Sequence, residues 1–239
     1  GMPTGEHEVP AHFHWDIWLG PAADRAFHPG YHPANWRRYW DFGGGTMSDM
    51  ACHLMDLPFW ALDLRHPTTV AARGPEPDEY SAPHGLEVTY EFPKVGERAA
   101  CSLTWYDGNK KPRGMEENGL PGVAFGVLFV GEEGNLFADY GSHRLMPEAE
   151  FADFEAPAPS IPDSIGHYAE WIKACKEGTP TTCNFDYSGA LTEAVLLGSV
   201  AFRAEEDLRW DGKELKATNC AKAEQFVKKE YREGWSLSG

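Results

Sequence analysis

Apolar and polar positions along the chain fall into blocks of different period. Up to residue 45 there is no period: HFHWDIWLGPA and YHPANWRRYWDFGGG are rich in aromatics, Gly and His. Prolines at 10, 21, 29 and 33 exclude a long helix there. So many aromatic side chains do not suit a disordered tail, and residues 1–45 are expected to form an ordered arm laid over a partner surface. From Thr46 the run TMSDMACHLMDLPFWALDL places apolar residues at helical spacing, with Thr46 or Ser48 as the capping residue. Pro58 inside it marks a kink or a break. Five β-branched or aromatic runs follow: TTVAARG, GLEVTYEFP, RAACSLTWYD, VAFGVLFVG and NLFADYG, bounded by Gly, Pro, Asp or Asn. VLFVGEEGNLFADY reads as a hairpin turning at Gly131–Gly134, and HRLMP adds a short strand. Helical spacing returns in SIGHYAEWIKACKEG, started by Asp163 or Ser164 and stopped by Gly178, and in FDYSGALTEAVLLGSVAFRAEE. LRWDGKEL reads as a small hairpin around Asp211-Gly212, and Asn219 is expected to cap a last helix over CAKAEQFVKKEYREG.

A helix, consecutive strands without intervening helices, then helices give an α+β fold. The expected architecture is an open, mostly antiparallel sheet with helices on one face, one domain over 46–239 preceded by the arm. Leu103, Trp105, Val127 and Phe129 make the strands too apolar for one bare sheet face, which predicts a homo-oligomer paired through the sheet.

Charge narrows the partners. The chain carries 21 basic and 37 acidic residues, a net charge of −16, which argues against nucleic acid. No stretch approaches the roughly 18 consecutive apolar residues of a membrane helix, and no secretory leader opens the chain. Gly1 before Met2 reads as a tag-cleavage scar, with native sequence expected upstream. Cys52, Cys101, Cys175, Cys183 and Cys220 are widely spaced without C-x-x-C, which suits reduced thiols in the cytoplasm rather than disulfides or structural zinc. Lys110, Lys111 and Arg113 form a basic cluster in a Gly/Pro-rich loop, read as a solvated loop or else a lid over an anionic or polar ligand.

The sharpest constellation is GGGTMSDMACHLMD. Asp49 and His53 stand four apart on the predicted helix and share a face, and Asp56 extends it. A carboxylate near an imidazole raises its pKa and fixes its tautomer, which is what an acid–base histidine needs. Spacing alone marks such a pair as structural more often than catalytic. Trp36, Arg37 and Arg38 offer an aromatic face and guanidinium forks for a polyol or carboxylate, or else pack the arm on its own domain. No strand is followed by G-x-G-x-x-G, no P-loop occurs, and neither H-E-x-x-H nor paired-His spacing suggests a metal.

The string WDIWLGPA…YHP..NWR..WDFGGGTMSDMACHLMDLPFWAL and the tail LRWDGKELKATN…KKEYREGW resemble the second domain of the Gfo/Idh/MocA oxidoreductases, the glucose–fructose oxidoreductase and inositol dehydrogenase group. The resemblance runs from about Trp15 to Trp235 and is most specific from the Gly triplet to Asp56. It implies an amino-terminal Rossmann domain holding NAD or NADP, absent from this chain, with no cofactor bound by the chain itself. It places Asp49 and His53 on the family's D-x-x-x-H pair, His53 as acid–base at the substrate hydroxyl and Asp49 assisting, with Trp36, Arg37 and Asp56 as substrate-binding candidates. The reading is the substrate domain of an NAD(P)-dependent sugar or polyol oxidoreductase, inactive alone. The alternatives are an NAD-dependent glycosidase of the same family and a non-catalytic binding or oligomerisation module.

Overall fold

In the run EVTYEF every second residue is apolar, and that alternation assigns one face of a strand to the core. In the computed structural model, which describes residues 1–116, 119–120 and 122–237, the run is a strand. It is β2 (Glu87–Phe92), with Val88, Tyr90 and Phe92 buried and Glu91 exposed. β2 pairs antiparallel with β1 (Thr69–Arg73) and with β3 (Cys101–Tyr106). β1 pairs on its other side with β7 (Leu208–Asp211), which turns into β8 (Lys216–Ala217), giving the order β3-β2-β1-β7-β8. The β7–β8 turn is held by Asp211 Oδ1, which accepts from the amides of Lys213 and Glu214.

Two helices cover the Val88–Tyr90–Phe92 face. α2 (Gly45–Ala61) buries Met47, Ala51, Met55, Pro58 and Phe59, and Phe59 meets Phe92 edge-on with ring centroids 5.7 Å apart. α4 (Phe185–Ala204) approaches both layers at Gly198, where a Cβ would lie within 3 Å of Met47 and of the Tyr90 hydroxyl. Pro58 does not break α2. It stands in the last turn, where only one amide donor is forfeited, and the helix continues to Ala61.

The register overturns one reason for sheet pairing. Leu103 stands opposite Tyr90 and Trp105 opposite Val88, so both join the helix-covered face. The outward face carries polar cross-strand pairs instead: Thr89 and Thr104 hydroxyls 3.1 Å apart, and Ser102 Oγ donating to Glu91 at 2.6 Å. These two strands give a sheet-paired oligomer no apolar support.

Contacts divide the chain into two compact units, residues 1–112 with 192–239, and residues 113–191. The second unit holds its own antiparallel sheet of β4 (Val127–Val130), β5 (Asn135–Ala138) and β6 (His143–Met146), around a core of Leu120, Phe137 and Met146. The strand runs therefore build two sheets where one was expected. Local turn chemistry, such as the Gly131 amide donating to the Gly134 carbonyl at 3.0 Å, fixes a hairpin but not the sheet it joins. α3 (His167–Glu177) also lies in this unit and ends at Gly178, whose φ of 68° gives the left-handed stop.

The arm of the first unit has α1 (Trp15–Leu19) and 3-10 turns at Pro29–Tyr31 and Asn35–Arg38. Its aromatics pack on one another: Trp15 and Trp18 stack at 4.9 Å, Trp18 meets Phe42 at 4.9 Å, and Tyr31 is buried among them. The tail corrects another expectation. α5 covers only Glu224–Val227 after a 3-10 turn. Asn219 caps nothing, because its Oδ1 accepts from the Arg209 amide at 2.7 Å and its Nδ2 donates to the Asp207 carbonyl at 2.8 Å. Beyond Val227 the tail gives up helix to reach the arm. Lys229 binds the Asp41 carbonyl, and Arg232 binds the carbonyls of Asp16 and Gly20 and the carboxylates of Asp16 and Asp24. No helix among the described residues is long and apolar enough to cross a membrane.

Candidate functional site

α2 has two faces, and its polar one is a stripe. Thr46, Asp49 and His53 are exposed along it, Asp56 is half-buried, and the exposed Trp60 ends it. This follows from helical spacing, since residues three and four apart stack on one side while Met47, Ala51 and Met55 take the other.

A cleft of about 180 Å³ opens at the start of this stripe. One wall is the Asn35–Arg38 turn, contributing Arg37 and Arg38. The opposite wall is Ala82, Pro83 and His84. Gly45, Thr46, Asp49 and Met50 of α2 form the base. The walls are tied by backbone: the Ala82 amide donates to the Arg38 carbonyl at 2.7 Å, and the Trp40 amide to the Tyr80 carbonyl at 3.0 Å. Asp78 pins the second wall's approach, its Oδ1 accepting from the Ser81 hydroxyl and amide, each at 2.7 Å, and from the Tyr80 amide at 3.0 Å. Those bonds, the Ser81 hydroxyl foremost, hold the Asp78 carboxyl well below the usual carboxylate range.

Arg37 and Asp49 meet in this cleft, Nε to Oδ2 at 3.5 Å, and the Arg37 guanidinium lies 4.4 Å over the Trp36 ring. Both groups of the ion pair are nearly half exposed, so the pair is worth less than about 1 kcal/mol and orients more than it stabilises. His53 lies one turn further along and outside the cleft lining, with no hydrogen bond to Asp49 and none to any other described residue. Asp49 is thus turned toward Arg37 rather than toward the imidazole. Trp36 faces away from this cleft and lines a second, more open one of about 430 Å³ with Trp18, Pro21 and Phe42. Asp41 lines it too but is already held by Arg25 and Lys229. Lys110 and Lys111 line neither cleft. Cys52, beside His53, is kept a neutral thiol: burial raises its pKa, and the charges of Asp49 and Asp56 add to the rise.

Sequence reading passed over His84, which is lone and non-periodic, and Trp60, which helical spacing from Asp56 already placed on the stripe. Among the described residues no three His, Cys, Asp or Glu gather as a metal-ligand set.

The Gly triplet is the one place where a dinucleotide's phosphates would be sought, and it does not fit them. A Cβ at Gly43 would strike the Arg37 backbone at 2.4 Å, at Gly44 the Ser48 hydroxyl at 2.5 Å, and at Gly45 the Ala82 Cβ at 2.5 Å. The space these glycines free is filled by the chain's own atoms. They serve close packing of the turn, where the Tyr39 carbonyl accepts the amides of Phe42, Gly43 and Gly44, and leave no cradle for a pyrophosphate.

No curated protein matches the chain. One protein family does: its description, "Oxidoreductase family, C-terminal alpha/beta domain", covers residues 3–237. The α+β fold agrees with that description, and the chain belongs to the Gfo/Idh/MocA oxidoreductases as their C-terminal domain.

Proposed function

We propose that this domain binds the sugar or polyol substrate of an oxidoreductase and supplies its acid–base histidine, His53, while NAD or NADP is held by a separate Rossmann domain. The family is generally NAD(P)-dependent, and the oxidation itself needs that cofactor. What these residues contribute is binding, orientation and proton transfer.

The observation that carries the reading is the α2 stripe. His53 is exposed and has no hydrogen-bond partner among the described residues, so its ring nitrogens are open to a substrate hydroxyl. Asp49 stands about 6 Å away along the helix axis, at 1.5 Å per residue, and its part is to hold Arg37 at the start of the stripe. The cleft at the stripe's start then takes the non-reacting end of the substrate, with Arg37 fixed in its wall by Asp49.

The test is His53→Ala in the protein expressed with its dinucleotide-binding domain. Turnover with the sugar or polyol substrate should fall by about a hundredfold or more, the usual worth of a general acid–base group. Stability should stay within about 0.5 kcal/mol, as for a surface substitution. Wild-type turnover in that variant would remove His53 from the mechanism.

A further inference from the structure

We infer that the cleft at the start of α2 selects a substrate bearing a carboxylate, a sugar acid, through the guanidinium of Arg38. The inference rests on the reading of this cleft as the substrate's subsite and names the substrate class.

The argument begins with which cations are satisfied. Arg25, Arg37, Arg65, Arg73, Arg144 and Arg232 each pair with a carboxylate of this strongly acidic chain. Among the described residues Arg38 pairs with none, as do Arg98, Arg203 and Arg209, and of these four only Arg38 lines the cleft. Its side chain has no hydrogen bond, ion pair or ring contact among the described residues, although carboxylates outnumber basic groups 37 to 21. Its backbone is nonetheless fixed, because its carbonyl accepts the Ala82 amide at 2.7 Å across the cleft. The backbone is therefore tethered to one wall, and the exposed guanidinium stands at the cleft without a carboxylate partner among the described residues.

The charge count inside the cleft points the same way. Asp49 is matched by Arg37 at 3.5 Å, and this pair leaves Arg38 as the uncompensated charge of the lining. His84 on the facing wall has no hydrogen-bond partner among the described residues and offers a further donor. A guanidinium presents parallel N–H groups that match the two oxygens of a carboxylate, and such charge-assisted pairs are about twice as strong as neutral ones. The volume of about 180 Å³ is below the roughly 300–1,000 Å³ of drug-sized sites, so the cleft takes one end of a small molecule. Met50, Ala82 and Pro83 give that end an apolar bed. A carboxylate held by Arg38 leaves the rest of the sugar to extend along the stripe toward His53.

The experiment titrates residues 1–239 with D-glucuronate, D-glucose and D-glucose 6-phosphate, read by calorimetry and by chemical shifts of the His84 and Thr46 amides. Glucuronate is expected to bind about tenfold more tightly than glucose, or about 1.4 kcal/mol. Arg38→Gln should bring glucuronate down to the level of glucose and leave glucose unchanged. Arg38→Lys should recover only part, since it keeps the charge and loses the fork. The Arg38 side chain is exposed, so the variants' unchanged melting checks that the fold is intact. Equal binding of glucuronate and glucose, or no effect of Arg38→Gln, overturns the inference and leaves the cleft as a substrate subsite. Preference for the phosphate over glucuronate overturns the carboxylate assignment. Failure of all three sugars to bind takes down the subsite reading and the inference together.

Discussion

Removing the Asp107 carboxylate should cost this protein a large part of its stability. Asp107 follows β3 and is buried, 8 % exposed. Its Oδ1 accepts from the Leu86 amide at 2.6 Å and its Oδ2 from the Trp105 indole at 2.9 Å. Its own amide donates to the Leu86 carbonyl at 3.0 Å, which carries the β2–β3 ladder one step past the Glu87–Tyr106 pair. Asp107→Ala leaves two buried donors without an acceptor. At about 1–3 kcal/mol for each orphaned group the loss is about 2–6 kcal/mol, against the roughly 5–15 kcal/mol that holds a typical domain together. Asp107→Asn keeps the shape and one acceptor oxygen, but turns an NH₂ toward the second donor, and should cost about half as much. Urea titration followed by far-UV circular dichroism measures both, with an unchanged slope confirming that the same surface unfolds. An alanine variant within about 0.5 kcal/mol of wild type would refute this account, as would an asparagine variant no more stable than the alanine one.

Gly45→Ala combines a φ of +79° with a Cβ 2.5 Å from that of Ala82, and should lower stability by about 1–3 kcal/mol in the same titration. Undiminished stability there would mean that the turn and the Ala82 wall yield freely. Asp78 supplies a pH dependence: folding lowers its pKa, so the native state binds fewer protons and the carboxylate's contribution is complete above about pH 4 and declines as pH falls toward the lowered folded value. The stability gap between wild type and Asp78→Asn should be constant from pH 7 to about pH 4 and narrow below it; a gap that widens in acid would contradict the sign.

Much of this was legible in residue order because it depends on near neighbours. The alternation Val88, Tyr90, Phe92 fixed the buried face of β2, Gly178 stopped α3, and Asp211-Gly212 turned β7 into β8. The α2 stripe was legible for the same reason, since Asp49, His53 and Asp56 need only helical spacing to share a side. What sequence left open depends on partners far along the chain. Asn219 had a capping residue's chemistry, but the amide of Arg209 claimed it. Asp49 had His53 one turn away, and Arg37 from another element took its Oδ2. Leu103 and Trp105 read as apolar matter for a second protein until the register set them opposite Tyr90 and Val88. Their composition was plain; their side of the sheet was decided by pairing.

The grip of Arg232 and Lys229 on the arm sets an order of events during synthesis. The bonds from Arg232 to the carbonyls of Gly20 and Asp16 join residues 212 and 216 positions apart, and that from Lys229 to the Asp41 carbonyl spans 188. At about 5–20 residues per second, the arm emerges from the ribosome some 10–40 s before the residues that hold it. For that interval the cluster of Trp15, Trp18, Phe27 and Tyr31 lacks these anchors, although every local ingredient is already present. The arm, made about 200 residues before its anchors, is thus fastened late, and the Asn35–Arg38 turn that walls the cleft belongs to it.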